Sequence, residues 1–113
     1  MNTRILAPLF YASLLVSTCA LAADGKVTIL SPANDAMVST DAKVELSYEA
    51  TPGSDGDHLH LYLDGKRIDV IHPMKGTAEV GMLKPGKHHI CMTVNAKGHA
   101  PVSPETCIDV TAK

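Results

Sequence analysis

The chain has 113 residues, with ten Lys and Arg, twelve Asp and Glu, six His and a formal net charge of −2. The basic residues do not form a stripe along the sequence, so we do not expect a nucleic-acid partner. The length is that of one small domain.

Residues 1–22 have the order of a secretory signal peptide. Arg4 supplies the positive charge, residues 5–16 form an apolar run, and the small residues ending at Ala22 form an A-x-A cleavage pattern. The apolar run is shorter than the about 20 residues that a membrane helix needs. We therefore expect cleavage after Ala22 and an exported domain of residues 23–113, periplasmic or secreted, with no membrane span.

Two alternatives for this leader stay open: cleavage after Ala23, and lipid attachment at Cys19. Cleavage after Ala22 leaves 91 residues (113 − 22) and a net charge of −3 (nine basic against twelve acidic residues). Cys91 and Cys107 then remain. An even number of cysteines in an exported chain suggests a disulfide.

Short segments rich in β-branched residues alternate with turn-forming residues throughout the exported part. No segment keeps a helical period over ten residues. The predicted strands are residues 27–30, 43–49, 58–63, 67–71, 77–83, 88–95 and 105–111. Seven short strands with frequent turns predict an all-β fold, an Ig-like antiparallel β-sandwich. The Asp64-Gly65 pair predicts a type I′ hairpin turn.

Strand alternation predicts which side chains share a face. In residues 58–63 the leucines point inward, so the outward side chains are His58, His60 and Tyr62. A turn near His99 predicts three facing pairs: Asn95 with Ser103, Thr93 with Glu105, and Cys91 with Cys107. Facing Cβ atoms lie about 4.5–5.5 Å apart and a disulfide needs about 3.5–4.5 Å, so a Cys91–Cys107 bridge is feasible.

Three segments carry a resemblance to known bacterial domains. Residues 56–64 (GDHLHLYLD) resemble the G-D-H-H-H-L-L-I-D strand of a His-rich family of small exported domains of unknown function, and residues 83–90 resemble its L-x-P-G-x-H-x-L turn. Residues 31–38 are similar to the S-P-A-D-G-A-x-V opening of many bacterial Ig-like domains. Leu59 stands where the family has its central histidine. A three-histidine site therefore cannot be carried over whole. Because the family's function is unknown, the resemblance implies architecture and no mechanism.

The histidines suggest a metal site. His58 and His60 share a face about 6.6–6.8 Å apart along the strand, and His89 lies on the outer face of another strand of the same sheet. Three convergent imidazoles would suit Zn²⁺ or Cu²⁺. The alternative is that His58 and His60 are solvated, or hydrogen-bonded to a neighbour such as Asp57.

His72 and Met74 are a second set of candidate ligands, because imidazole with a thioether favours Cu⁺. His99, at the tip of the last hairpin, is a further candidate that would complete a site at the loop end. His88 follows Pro85-Gly86 at the start of a strand, where we expect it to bond back to the turn.

No nucleophile elbow, dinucleotide fingerprint, phosphate loop or H-E-x-x-H sequence occurs, so we do not expect an enzyme. The sequence favours a non-catalytic periplasmic binding module that takes copper or zinc through a His-rich outer face. The alternative is a structural or interaction domain that docks an envelope protein without metal. pH sensing by clustered imidazoles is a third possibility.

Overall fold

The computed structural model describes residues 24–113, so the predicted leader, including Cys19, lies outside the described residues. Within residues 24–113 no helix is long and apolar enough to cross a membrane. The elements of this part are eight strands: β1 (Lys26–Ser31), β2 (Ala36–Val38), β3 (Val44–Thr51), β4 (His58–Leu63), β5 (Lys66–Ile71), β6 (Lys75–Gly81), β7 (Gly86–Asn95) and β8 (Thr106–Ala112).

The strands form two sheets, one with the order β1-β3-β6 and one with the order β2-β8-β7-β4-β5. All neighbouring pairs are antiparallel except β2 and β8, which are parallel. The predicted all-β sandwich is therefore confirmed. The larger sheet carries β4 and β7 side by side at its centre, and these two strands hold three of the six candidate ligands: His58, His60 and His89.

Alternating apolar residues of both sheets form the core. Each fully buried aliphatic side chain contributes about 1.5–3 kcal/mol relative to an exposed one. The largest side chains that are almost completely buried include Leu46 and Tyr48 of β3, Leu59 and Leu61 of β4, and Ile90, Met92 and Val94 of β7. Leu59 and Leu61 face the core as predicted, and the opposite face of β4 carries His58, His60 and Tyr62.

The turn between β4 and β5 has the predicted form. Asp64 and Gly65 have φ values of 51° and 84°, both positive as a type I′ turn requires. The eighth strand, β2, was not predicted. It is three residues long and pairs Ala36 with Val110 at the far end of the chain, so no local alternation indicates it.

The last hairpin agrees with the prediction at its base and differs at its tip. Cys91 and Cys107 pair across β7 and β8 and form the predicted disulfide. Asn95 bridges to Pro101, so its predicted pairing with Ser103 was wrong. The backbone N–H of Val94 instead donates to the side-chain hydroxyl of Ser103 at 2.8 Å. Between the Met92–Thr106 pair and the Asn95–Pro101 bridge, the returning chain has two more residues than β7. Alternation alone does not reveal such a shift in register.

Candidate metal centre

His58 and His60 lie on the outer face of the larger sheet, yet each is only 3% exposed. Their predicted orientation is correct. Of the alternative, solvation is wrong, whereas the hydrogen bond between His58 and Asp57 is present. The ring of His99, from the loop between β7 and β8, lies 4.9 Å from the ring of His58 and 5.7 Å from that of His60, measured between centroids. This loop histidine therefore covers the two strand histidines.

A line of hydrogen bonds connects the buried rings to their neighbours. Asp57 Oδ2 lies 3.0 Å from His58 Nδ1, and His58 Nε2 lies 3.0 Å from His60 Nε2. At the other end, His60 Nδ1 lies 3.1 Å from the Tyr62 hydroxyl. Each ring thus uses Nδ1 toward an outer partner and turns Nε2 toward the other ring.

This arrangement restricts where the protons can be. An ionised carboxylate only accepts, so His58 Nδ1 carries a hydrogen toward Asp57. One hydrogen must then lie between the two Nε2 atoms, because otherwise two lone pairs would face each other at 3.0 Å. That hydrogen comes from His60 when both rings are neutral, and the Tyr62 hydroxyl then donates to His60 Nδ1. A metal cation between the Nε2 atoms would replace this shared hydrogen.

The electrostatics of the cluster favour a neutral His60 ring and an ionised Asp57 carboxylate. Burial, with the nearby His58, Arg67 and His99 adding to it, lowers the pKa of His60, which keeps this imidazole neutral near pH 7. The hydrogen bond from His58 lowers the pKa of Asp57, so its carboxylate is ionised. Metal-binding histidines need the neutral ring, and a carboxylate on the second nitrogen orients it.

The backbone holds Asp57 and His58 at the start of β4. The N–H of Asp57 donates to the carbonyl oxygen of Asn95 at 2.9 Å. The preceding residue is Gly56, where any Cβ would collide with the backbone carbonyl of Pro52. A residue without a side chain is therefore required where the loop enters the strand.

The position of His99 is also fixed. It adopts a left-handed conformation with φ of 72°, and its N–H donates to the carbonyl oxygen of Ala96 at 2.8 Å. The buried side chain of Asn95 donates to the His99 carbonyl at 2.9 Å and accepts from the Thr93 hydroxyl at 2.6 Å. Buried polar residues of β7 thus hold the turn that carries His99 over the sheet.

Three histidines therefore form the candidate centre. One potential ligand atom from each of His58, His60 and His99 lies within 4.8 Å of the others. Sequence reasoning included all three, but it placed His89 rather than His99 as the partner of the strand pair. It did not identify Tyr62 or Asn95 as supports. The position of Tyr62 two residues after His60, on the same face of the strand, could have indicated its supporting role. Nothing in the sequence indicated the role of Asn95.

The other candidate ligands lie apart from this centre or at its margin. The ring centroid of His72 is 5.9 Å from that of His58, so it borders the cluster. Met74 packs against the core. Thr93 is the residue of β7 that pairs with His60, and His89 lies four residues before it. Four residues of a strand span about 13 Å. The structure therefore does not bring His89 to His58 and His60.

His88 bonds back to its turn as expected. Nε2 lies 2.7 Å from the Lys84 carbonyl oxygen, and Nδ1 lies 2.7 Å from Asp64 Oδ2. Both partners only accept, so both ring nitrogens carry hydrogens and the ring is an imidazolium. The hydrogen bond to Asp64 accordingly raises the pKa of His88. This histidine is structural and its charge makes it unsuitable as a ligand.

Comparisons with known proteins establish the fold and no more. No family model and no curated protein matches the chain. Fibronectin(III)-like modules of Clostridium thermocellum CbhA superpose with a TM-score of 0.66 and 18% identity, over 78% of this chain and 97% of theirs. A lytic polysaccharide monooxygenase of Jonesia denitrificans gives 0.52 and 18%, over 74% of this chain and 61% of its own. The Ig-like class is thus confirmed, while membership of the His-rich family stays a prediction.

Proposed function

We propose that this protein is a non-catalytic, exported metal-binding module that takes up Cu²⁺ or Zn²⁺ through His58, His60 and His99. The observation that carries the proposal is the pair of buried Nε2 atoms 3.0 Å apart, each on a ring whose Nδ1 already has a partner. The leader-like residues 1–22 and the Cys91–Cys107 disulfide support export to the periplasm.

The geometry of the pair is close to that of two ligands on one ion. Two nitrogens at about 2.05 Å from a tetrahedral ion lie roughly 3.3 Å apart. The two Nε2 atoms therefore need to separate by only about 0.3 Å when the shared hydrogen is replaced by a metal. His99 is exposed and covers the pair, so it supplies a third ligand from the solvent side.

The donor set decides the class of ion. Imidazole suits Zn²⁺ and Cu²⁺, and three histidines leave a fourth position for water or for His72 at the margin. We infer a carrier or buffer role, in which the exposed His99 gives the ion a route to and from the buried pair. The soft-ion alternative, Cu⁺ with Met74, has less support because Met74 packs against the core.

Calorimetric titration of the exported protein, disulfide intact, with Zn²⁺ and separately with Cu²⁺ near pH 7 tests the proposal. We expect one site per chain with a Kd below about 1 μM, which corresponds to about 8 kcal/mol. His99→Asn should weaken it strongly, and Asn is chosen because it tolerates the left-handed conformation at this position. His89→Ala is the matched control and should bind as the wild type does. Weak binding that is unchanged in His99→Asn would contradict the proposal.

A second candidate function is docking of an envelope protein at the free edge of the larger sheet. β5 is an edge strand, and two of its apolar side chains are exposed, Ile68 at 39% and Val70 at 37%. An uncovered edge with apolar side chains is typical of strand-addition surfaces. A photo-crosslinker at position 70 in living cells would capture such a partner, and Ile68→Lys should abolish the crosslink.

A further inference from the structure

A second group of potential ligands lies on the outer face of β7 and β8, separate from the histidine centre. His89 pairs with Asp109, and Cys91 pairs with Cys107 in the next outward-facing pair. The four side chains therefore occupy the corners of one rectangle on the sheet. One ligand atom of His89 and the two sulfurs lie within 4.8 Å of one another.

The histidine of this group is oriented and accessible. Asp109 Oδ1 lies 2.7 Å from His89 Nδ1, so the Nδ1–H donates to the carboxylate and Nε2 keeps a lone pair. The side chains of His89 and Asp109 are 53% and 39% exposed. The backbone is fixed on both strands, because Asp64 Oδ1 accepts from the His89 N–H and Asn34 Oδ1 accepts from the Asp109 N–H.

We propose that reduction of the Cys91–Cys107 disulfide creates a second metal site, in which both thiolates and His89 bind a thiophilic divalent cation such as Zn²⁺. Two cysteines and one histidine form a recognised zinc ligand set that leaves a fourth position open. Asp109 positions the imidazole through Nδ1, the role that carboxylates have beside metal-binding histidines. In the oxidised protein the same sulfurs are bonded to each other, so the site exists in one redox state only.

Reduction of the Cys91–Cys107 disulfide is a two-electron step. A dithiol reductant gives two electrons and two protons to the disulfide, so the S–S bond breaks, two thiols form and the reductant becomes a disulfide. Zn²⁺ then displaces both thiol protons and forms two Zn–S bonds. Two sulfurs at about 2.3 Å from a tetrahedral ion lie roughly 3.8 Å apart, a separation that rotation of the two side chains provides.

The two metal sites are independent. His60 and His89 are separated along the larger sheet, and the histidine centre does not require thiolates. Loss of either site therefore leaves the other intact. Failure of this inference would not affect the function proposed above, which is tested on the oxidised protein.

The test uses protein recovered from the periplasm of cells that express the full chain. One sample stays oxidised, and the other is treated with a water-soluble phosphine, which becomes the phosphine oxide as water supplies oxygen and protons. The reductant is then removed without air and two thiols per chain are verified. Both samples are titrated with Co²⁺, because thiolate ligation gives a charge-transfer absorption in the near ultraviolet.

We expect the reduced sample to bind one more Co²⁺ per chain than the oxidised one, with the thiolate absorption, and Zn²⁺ to displace it. His89→Ala should weaken this added site by about 100-fold and Asp109→Asn by about 10–100-fold, whereas His99→Asn should leave it unchanged. Should His89→Ala fail to fold, His89→Gln replaces it. Reduced protein that has lost its folded NMR spectrum, that binds no additional Co²⁺, or whose thiolate absorption is indifferent to residue 89 would overturn the proposal.

Discussion

The Nε2 atoms of His58 and His60 lie 3.0 Å apart on a sheet face where both rings are buried. Because Asp57 accepts from the far nitrogen of His58, the pair needs one hydrogen or one cation between its two facing nitrogens. Metal binding to the neutral pair would therefore require the hydrogen of His60 to move from Nε2 to Nδ1. Tyr62, the partner of that Nδ1, would then change from hydrogen-bond donor to acceptor.

Removal of the Tyr62 hydroxyl tests this exchange. Tyr62→Phe would leave the Nδ1–H of metal-bound His60 without a hydrogen-bond acceptor. We therefore expect the affinity for Zn²⁺ to fall by about 10-fold, the lower end of the range for loss of a group that supports a metal ligand. Calorimetry of the oxidised protein measures the change. In a His60→Ala background the same substitution should have no further effect, since the ring it supports is gone. Equal losses in both backgrounds would assign Tyr62 to folding instead.

His72 and His99 provide a matched comparison at the histidine centre. His99 has a ligand atom within 4.8 Å of those of both strand histidines, whereas His72 approaches only the ring of His58. We expect His99→Asn to weaken Zn²⁺ binding by at least about 10-fold more than His72→Asn does. Competition against a chromophoric chelator measures both. The reverse order would place His72 in the centre and His99 at its margin.

The His88–Asp64 ion pair predicts a pH window of stability. The pKa of His88 is raised and that of Asp64 is lowered by their mutual hydrogen bond. The His88 contribution is complete below its unfolded pKa of about 6.5 and is lost as pH rises through the raised folded value. The Asp64 contribution is complete above about pH 3.9 and is lost as pH falls through the lowered folded value.

Urea unfolding of the wild type and of His88→Gln, with chelator present, checks this window. The difference in the free energy of unfolding should be greatest between about pH 4 and pH 6.5 and should shrink toward pH 9. A difference that stays constant from pH 5 to pH 9 would mean that His88 acts through packing rather than through its charge.

The disulfide should contribute strongly to stability because the domain is small. Cys91 and Cys107 are separated by 16 positions, and a loop of this size gives about 3 kcal/mol in the chain-entropy model. We expect reduced wild type, with chelator present to keep metal from the thiols, to lose about that free energy of unfolding. A decrease in the free energy of unfolding well below 1 kcal/mol would show that the conformational freedom of the reduced, unfolded chain is already restricted.

The requirement for glycine at position 56, where the loop enters β4, can be tested by substitution. Gly56→Ala places a methyl group against the Pro52 carbonyl, so we expect the free energy of unfolding to fall by about 1–3 kcal/mol. Gly98→Ala is the control, since a Cβ there meets nothing within 4 Å. Thermal unfolding compares the two variants. If they were equally stable, the loop before Asp57 would have to shift at little cost.

Local pattern was sufficient for much of the fold. The side-chain period of a strand is two, so the sequence by itself put Leu59 and Leu61 in the core and His58 and His60 together on the opposite face. Cys91 and Cys107 also followed from sequence, because a hairpin brings equidistant residues together. The Asp64-Gly65 turn followed from the tolerance of these residues for positive φ.

The tertiary structure alone decided which histidines meet. His89 was expected beside His58 and His60, but the register of β4 on β7 sets it about 13 Å along the strand from Thr93, the residue paired with His60. His99 takes that place because buried Asn95 holds its turn over the sheet. Register between strands and the path of a loop depend on contacts between residues far apart in sequence, and a single strand's alternation contains neither.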